Sequence, residues 1–420
     1  MGFFFTLLYT AVSLLSPADL FPSLAPYRIM IWLAALAVLA SFPKFFSPRW
    51  LKSPHIFLMI GFMISMGLSR LFNGWVGGPV SAVIEFLPSA LIFFLLLWNV
   101  TSVNHVRILS IVLLLAAVYA VGRGMIGYHM TNIFDPYTEF QPQRVDDAAE
   151  AEKLGLMESG GRYGFLRIRS LGVLNDPNDF AQYLLIMLPL LLPFWKKGEW
   201  AGNLFKCWLP AGMLLYGMYL TSSRGGLLGL LVLLLFFLAS RLTLKRIVLL
   251  TPLLAGCVLL ATAAGRGISV NEDSAQGRIN AWSDGIGMFK SSPLWGVGYG
   301  QFTAFHERTA HNSFVLSLSE LGLLGTFFWV GLIYVCVRYL RWFRLEHEAG
   351  SDAARWAFAV QASLWTTLVT SWFLSRTYSP TLYLILGMAA ALSLVETGEE
   401  PAAEAGPDPE VLVQIVKIET

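Results

Sequence analysis

Long apolar runs, separated by short stretches of charged residues, proline or glycine, recur along the whole sequence. A helix needs about 20 mostly apolar residues to cross a bilayer, and many of these runs approach that length. They predict about twelve membrane-spanning helices, at 2–17, 29–43, 55–72, 80–98, 106–124, 179–195, 205–220, 225–240, 246–264, 312–338, 356–374 and 379–396. The fold class is therefore an all-α polytopic membrane protein.

The composition supports this class. Hydrophobic residues make up 56% of the chain and charged residues only 13%, whereas a soluble domain has roughly 25% charged residues. A net charge of +2 without a block of lysine or arginine argues against nucleic acid as a partner. Because Cys207, Cys257 and Cys336 lie inside apolar runs, we expect no disulfide framework and no metal cluster. The expected partners are lipids or lipid-linked molecules.

Basic residues in the short loops indicate the orientation in the membrane. They all fall on one side of the predicted bundle: Lys44, Arg49, Lys52, Lys196, Lys197, Lys206, Arg241, Lys245, Arg246, Arg338, Arg341, Arg344 and Arg355. By the positive-inside rule this side is cytoplasmic. An even number of spans places both termini there, including a tail rich in Glu, Ala and Pro that we expect to be disordered.

The spans divide the chain into membrane segments and two long outer loops. The predicted segments are 1–124 with helices 1 to 5, 125–178 as the first long loop, 179–264 with helices 6 to 9, 265–311 as the second long loop, 312–396 with helices 10 to 12, and 397–420 as the tail. Each outer loop is expected to carry a short helix. In the first loop, residues 147–153 have the mixed charges of a solvated helix.

The outer face is also rich in basic residues, and most of these are arginines: Arg123, Arg144, Arg162, Arg167, Arg169, Arg224, Arg266, Arg278, Arg308 and Arg376. The planar guanidinium fork suits phosphate oxygens better than the lysine ammonium does. An anionic substrate outside the cytoplasm is the resulting hypothesis. Taken singly, most of these arginines are explained more simply by contact with lipid head groups or with nearby acids.

The second long loop begins with a helical pattern. Ile279, Trp282, Ile286 and Phe289 recur at helical spacing, which predicts an amphipathic helix lying at the membrane surface. Such a helix would hold Arg278 at the depth of the head groups. The same pattern also fits a simple interfacial anchor.

A glycine-rich turn follows, with glycines at 296, 298 and 300. Alternating glycines allow backbone amides to approach a ligand closely or to surround an anion. A flexible turn without a ligand is the simpler interpretation of this short piece. Without a preceding strand, the turn is not a nucleotide-binding fingerprint.

His311, followed by Asn312, directly precedes a long apolar helix. At about 100° per residue, Gly322 and Gly325 would lie within roughly 40° of the His311 direction, so His311 would stand above a seam of small residues. The positive end of the helix disfavours an imidazolium, and a neutral imidazole can act as a general base. A lone interfacial histidine is more often only a hydrogen-bonding residue.

Two further segments on the outer face combine helix starts with arginines. Hydroxyl residues at 221–223 can cap the helix that begins near Arg224, where a helix N-terminus favours anionic oxygen. Arg167 and Arg169 precede an Asn- and Asp-rich turn at 175–179, in which we expect the acids to cap the next helix. These arginines are candidates for a phosphate site.

Together these motifs resemble the O-antigen ligase and polymerase superfamily of bacterial envelope glycosyltransferases. The resemblance covers roughly 165–340 and rests on Ser-Ser-Arg-Gly-Gly at 222–226, Gly-Arg-x-x-x-Trp at 277–282, the glycine turn at 296–300, and His-Asn followed by glycines at 322 and 325. It implies a GT-C-like enzyme of the bacterial inner membrane with its active site on the periplasmic face. The implied donor is an undecaprenyl-diphosphate-linked glycan, with neither metal nor cofactor.

The resemblance also assigns residue roles. His311 would be the base for the acceptor hydroxyl, and Arg224 and Arg278 would bind the diphosphate, with Arg169 and Arg167 contributing. The supporting residues would be Asn312, Gly322, Gly325, Trp282 and Gly298. Transfer to lipid A core or to another surface acceptor is the first hypothesis.

Two other functions remain as alternatives. A polymerase would use the same donor but extend another lipid-linked repeat unit, and the acceptor cannot be read from the sequence. A transporter or flippase of lipid-linked sugars would place ionisable groups near the membrane midplane. Apart from Glu85 and Glu320, the predicted helix interiors carry almost no charge, which favours an enzyme.

Overall fold

The computed structural model describes residues 1–51, 53–142, 152, 156–239 and 273–395, most of which are helical. The α-helices are α1 (Gly2–Leu15), α2 (Pro17–Leu20), α3 (Ile29–Ser41), α4 (Pro48–Leu51), α5 (Pro54–Phe72), α6 (Gly78–Asn99), α7 (Val103–His129), α8 (Pro177–Met187), α9 (Trp200–Asn203), α10 (Leu209–Leu220), α11 (Arg224–Ala239), α12 (Asp273–Ser291), α13 (Phe302–Phe305), α14 (Ser313–Glu346), α15 (Asp352–Thr370) and α16 (Pro380–Leu392). A 3-10 stretch, Leu188–Phe194, extends α8, and a π-helical turn, Leu204–Trp208, leads into α10.

Among the described residues, α5, α6, α7 and α14 are long and apolar enough to cross a membrane, and four shorter apolar helices accompany them. The protein is therefore a helical membrane protein, as predicted. Described helices overlap every predicted span except 246–264, which lies outside the described residues. The count of twelve spans, the GT-C-like arrangement, the segment boundaries and the orientation remain predictions.

Aromatic side chains form much of the core of the bundle. α6 packs against α5 and α16, and α14 packs against α5 and α15. Phe86 of α6 meets Phe62 of α5 and Tyr383 of α16 edge-on, with ring centroids 5.7 and 4.8 Å apart. Edge-to-face aromatic pairs add to the stabilisation from burial, so these helices hold fixed positions relative to one another.

The prediction of an all-α fold is wrong in one place, because the first long loop contains a small sheet. Its strands are β1 (Thr138–Pro142), β2 (Met157–Ser159) and β3 (Arg162–Ile168), antiparallel in the order β1-β3-β2, with Thr138 paired to Ile168. Gly160 and Gly161 both have positive φ, as a tight two-residue hairpin requires. The helix predicted at 147–153 lies largely outside the described residues.

A second correction concerns α14, which was predicted as a regular helix. Gly322 has φ 62° and ψ −160°, so the helix is broken there. Beside the break, the Leu323 amide donates to the Pro293 carbonyl at 2.8 Å. A Cβ at residue 322 would lie 2.5 Å from the Leu294 backbone. The angular argument that set His311 above Gly322 and Gly325 therefore fails, since the helix does not continue regularly between them.

Polar contacts distinguish two ends of the bundle. At one end, Arg107 pairs with Asp352 at the start of α15, and Arg355 donates to the backbone carbonyl oxygens after α8. At the other end, the loops before α14 and after α15 meet where Arg376 contacts Ser313. We call these the Arg355 end and the His311 end, and the candidate site lies at the second.

Candidate active site

His311 lies between α13 and α14, one residue before the helix cap. Asn312 is the cap, and its side-chain oxygen accepts from the amides of Phe314 and Val315 at 2.9 and 3.1 Å. His311 itself has φ 46°, in the left-handed region. Its ring is half-buried and makes no hydrogen bond to any residue that the structure describes. The imidazole is therefore available to a substrate.

Charged groups from three segments surround His311. Burial lowers the pKa of His311, and the positive charges of Arg278 and Arg308 lower it further, while the negative charge of Asp176 acts in the opposite direction. The net effect favours the neutral imidazole near pH 7. This is the form that a general base needs.

The arginines at this end lie close to one another. Burial lowers the pKa of Arg278, and the nearby charge of Arg224 lowers it further. The guanidinium of Arg308 lies beside Gly277, with Nη1 3.6 Å from the place that a Cβ would occupy. Within the described part of the chain, Arg278 forms no ion pair. Clustered like charges repel one another, and an anion bound between them would relieve that repulsion.

Arg224 is the first residue of α11 and is exposed. The preceding turn contains Ser222 with φ 51°. Ser223 Oγ accepts from the Gly226 amide at 3.1 Å, so a hydroxyl caps this helix as predicted. The guanidinium is thus placed at a helix N-terminus, where backbone amides also favour anionic oxygen.

The helix predicted in the second long loop is confirmed as α12. Trp282 Nε1 donates to the Ala310 carbonyl at 2.9 Å, which fixes the residue before His311. The helix packs against α14, and Ile279 and Ile286 on its other side are exposed. Trp282 therefore supports the site by contact with the backbone, while the position of α12 at a membrane surface stays a prediction.

The glycine turn binds a carboxyl group, and that group belongs to the protein itself. The amides of Gly300 and Phe302 donate to the two carboxylate oxygens of Glu320 at 3.0 and 2.8 Å, and Tyr378 also donates to this carboxylate. The Gly298 amide donates to the Glu320 carbonyl oxygen at 3.0 Å. These amides are occupied by the protein, so Gly298 supports the fold of the loop.

The glycines of α14 have two different roles. Gly322 permits the break, with its positive φ. Gly325 permits close packing on α5, since a Cβ there would lie 3.0 Å from Ser65 Oγ. The predicted close approach of a neighbouring helix is thus confirmed at Gly325.

Arg167 and Arg169 lie at the end of β3, and both donate hydrogen bonds to protein oxygens. Arg167 is buried and donates to the Thr221 carbonyl at 2.7 Å and to Asn178 Oδ1 at 3.2 Å. Arg169 Nε donates to the Pro136 carbonyl at 3.2 Å. Arg167 therefore ties the turn before Arg224 to the start of α8, and Arg169 is not among the charges that act on His311.

Three further residues belong to this cluster and were not predicted as site residues. Asp176 caps α8, accepting from the Asn178 amide at 2.7 Å, as expected for an acid in this turn. Asp179 forms an ion pair with Arg376, and both side chains are nearly buried. Burial lowers the pKa of Arg376 to about 10, with Asp176 acting in the opposite direction. The sequence gives no signal that these residues approach His311, because they lie in separate loops.

Residues 209–330 match the family model described as O-antigen ligase. The matched range contains Arg224, Arg278 and His311. This region is therefore similar to the O-antigen ligase family. No curated protein compared with the chain matches it. The predicted resemblance is confirmed over this region, and it supports ligase- or polymerase-type glycosyl transfer in general terms, with a lipid-linked glycan and an acceptor as partners.

At the His311 end, the described residues offer a basic cluster beside a histidine whose pKa is lowered. Among them, no group of three or more His, Cys, Asp or Glu side chains is placed to hold a metal ion. Arginines can stabilise an anionic leaving group, and an imidazole can accept a proton. The arrangement therefore suits transfer of a group that departs from a phosphate.

Proposed function

We propose that the protein is an O-antigen ligase-type glycosyltransferase of the bacterial inner membrane. It moves a glycan from undecaprenyl diphosphate to a hydroxyl of lipid A core or another surface acceptor, on the periplasmic face. The observation that carries the proposal is the clustering of Arg278 and Arg308 beside His311, with Arg224 beside Arg278.

In this proposal, the arginines bind the donor diphosphate. Negative charge grows on the diphosphate as the sugar leaves, and guanidinium groups fixed in advance stabilise that charge more than they stabilise the ground state. Arg278 is half-buried and forms no ion pair with the described residues, which supports a role with an anionic ligand. Arg224 provides a second guanidinium group for the diphosphate at the start of α11.

His311 acts on the acceptor. The imidazole takes the proton of the acceptor hydroxyl as its oxygen forms a bond to the anomeric carbon. The bond between that carbon and the diphosphate oxygen breaks, and its electron pair leaves with undecaprenyl diphosphate. The nearby Asp176 carboxylate favours the imidazolium that results.

A polymerase would use the same site and the same donor. The two functions differ in the acceptor, which for a polymerase is another lipid-linked repeat unit. A transporter receives less support, because the two acids noted in the helices are engaged in protein contacts. Glu85 pairs with Arg70 at 2.8 Å, and Glu320 binds the glycine turn.

The deciding experiment is in-vitro transfer from a glycan linked to undecaprenyl diphosphate, with the purified intact protein and His311→Ala. His306→Gln is a matched control, since His306 lies in the same loop but pairs with Asp284. We expect the control to retain transfer and His311→Ala to lose it. One glycan on a non-donor acceptor identifies a ligase, and a ladder of longer lipid-linked chains identifies a polymerase.

Unchanged transfer by His311→Ala would contradict the assignment of the base. The absence of any glycosyl product, with lipid-linked sugar instead moving between leaflets of a vesicle, would indicate a flippase. The proposed mechanism uses no metal, so we also expect activity to survive chelators. Loss of activity that a divalent cation restores would refute that part of the mechanism.

A further inference from the structure

The segment after α15 forms hydrogen bonds with residues on both sides of His311 in the sequence. We call residues 371–377 the hub segment. Ser313, fully buried two residues after His311, makes four hydrogen bonds to it, at 2.7 or 2.8 Å: its amide to the Ser371 carbonyl, its hydroxyl to the Leu374 carbonyl, its hydroxyl from the Arg376 amide, and its carbonyl from the Thr377 hydroxyl.

The hub segment also reaches the other side of His311. The hydroxyl of Ser375 is hydrogen-bonded to the hydroxyl of Thr309. Thr309 Oγ1 in turn accepts from the His311 amide at 3.4 Å. The left-handed backbone of His311 is uncommon for a residue with a side chain, so these flanking contacts, and not its own preference, fix it.

Two other contacts anchor the hub segment itself. Arg376 forms the nearly buried ion pair with Asp179 at the start of α8. Phe373 packs against the start of α11, where a Cβ at Gly225 would lie 3.7 Å from the Phe373 Cβ. The hub segment therefore contacts the turn next to Arg224 as well as the residues next to His311.

We propose that the hub segment positions the His311 imidazole relative to Arg224, with Ser313 and Thr309 as the positioning residues. The proposal rests on the proposed function, in which His311 takes the proton of the acceptor. Neither positioning residue is required to touch the substrate. Their loss leaves the charges of the site in place but allows the imidazole to depart from its reactive geometry.

The test compares Ser313→Ala with Ser317→Ala in the intact protein. Ser317 is a buried serine one turn further along α14, and its hydroxyl bonds to Thr326 instead of the hub segment. A small misplacement of a catalytic group lowers the rate by about 10- to 100-fold, so we expect this fall in kcat for Ser313→Ala, with the KM for the donor unchanged. Ser317→Ala should keep the kcat of the intact protein.

A second variant, Thr309→Val, removes a hydroxyl at an exposed position and decides the matter if Ser313→Ala does not fold. It should show the same fall in kcat at unchanged donor KM. Normal kcat in a folded Ser313→Ala or Thr309→Val protein, while His311→Ala is inactive, would overturn the positioning proposal alone. An active His311→Ala protein would instead overturn the proposed function on which it rests.

Discussion

The two ends of the bundle use arginine in different ways. At the Arg355 end, arginines meet oxygen atoms of the protein: Arg107 pairs with Asp352 at 2.6 Å, and Arg355 donates to the Trp195 carbonyl at 2.6 Å. At the His311 end, Arg278 has a lowered pKa because it is half-buried and lies near Arg224. Arg344 at the Arg355 end also lies near a like charge, that of Arg341, but it donates to Gln361 Oε1 at 2.9 Å. A half-buried arginine near a like charge and without an ion pair to the described residues, as Arg278 is, favours binding of an anion.

Arginines that pair with acidic residues of the protein also occur at the His311 end. Arg123 lies 3.8 Å from Asp135, and Arg376 pairs with Asp179. The simpler explanation of the outer arginines, pairing with nearby acids, therefore holds for these two. What separates Arg278 from them is its lack of an acidic partner among the residues described, and variants at both kinds of arginine test this distinction.

The largest expected effect is on stability, at a paired arginine. Arg376→Met leaves the Asp179 carboxylate nearly buried without its partner, and breaking a buried pair costs about 3–5 kcal/mol. We expect the midpoint of unfolding in detergent to fall accordingly. Adding Asp179→Asn should recover part of the loss, because the unpaired charge is then removed. A double variant no more stable than Arg376→Met would argue against the ion pair.

The next effect is on catalysis, at the clustered arginines. Arg278→Ala and Arg224→Ala should each lower kcat/KM by about 100- to 1000-fold, as removal of one group that stabilises a leaving charge does elsewhere. Arg107→Ala, at the other end, removes an exposed pair worth about 0.2–1 kcal/mol and should leave kcat/KM unchanged. Normal transfer by both Arg278→Ala and Arg224→Ala would remove the diphosphate assignment.

A smaller effect is expected at the break in α14. Gly322→Ala introduces a Cβ at positive φ, 2.5 Å from the Leu294 backbone, and strain of this kind costs about 1–3 kcal/mol. Gly212→Ala is the control, since nothing lies within 4 Å of a Cβ there. Thermal unfolding should show destabilisation by the first variant and none by the second. Equal stability of the two would mean that the break does not need a glycine.

The smallest effect is a pair of opposite shifts in pH dependence. His311 must be neutral to accept a proton, so kcat/KM falls as the pH drops through its pKa. Asp176→Asn keeps a good helix cap but removes a charge that raises this pKa. The fall in kcat/KM on acidification should therefore occur at lower pH in this variant. Arg308→Gln removes a charge that lowers the pKa of His311, so the fall in kcat/KM on acidification should occur at higher pH.

Each shift is expected to be less than about one pH unit, because the charges act at a partly solvated site. The measurement is kcat/KM as a function of pH for both variants beside the intact protein. Shifts in the same direction for Asp176→Asn and Arg308→Gln would show that the titrating group is not His311.

Apolar runs were sufficient to predict the helices, because helices of a membrane protein must satisfy their backbone hydrogen bonds internally. The sequence does not predict the sheet, because the mixed charges of residues 147–153 favour a helix in this loop, although Gly160 and Gly161 are a hairpin signal. The sequence does not predict the break at Gly322 either, because a glycine that permits close packing and one that permits positive φ look alike in a sequence.

The candidate site, like the fold, can be predicted from the sequence only in part. Short motifs predict Arg224, Arg278 and His311 as site residues, and in the structure Arg278 lies near both of the others. The contribution of Arg376 depends on contacts with Asp179 and Ser313, which lie at the starts of α8 and α14. Only the fold joins such segments, so a single sequence without a spatial model does not reveal them.

The carboxylate of Glu320, held by the amides of Gly300 and Phe302, has a consequence for how substrate is received. Because the protein itself satisfies these amides, the loop leading to Arg308 and His311 keeps its shape before any donor arrives. Binding then needs little ordering of the chain, which lowers the entropic cost of forming the complex. Under the proposed function, this loop would act as a preformed template for the lipid-linked donor and the acceptor.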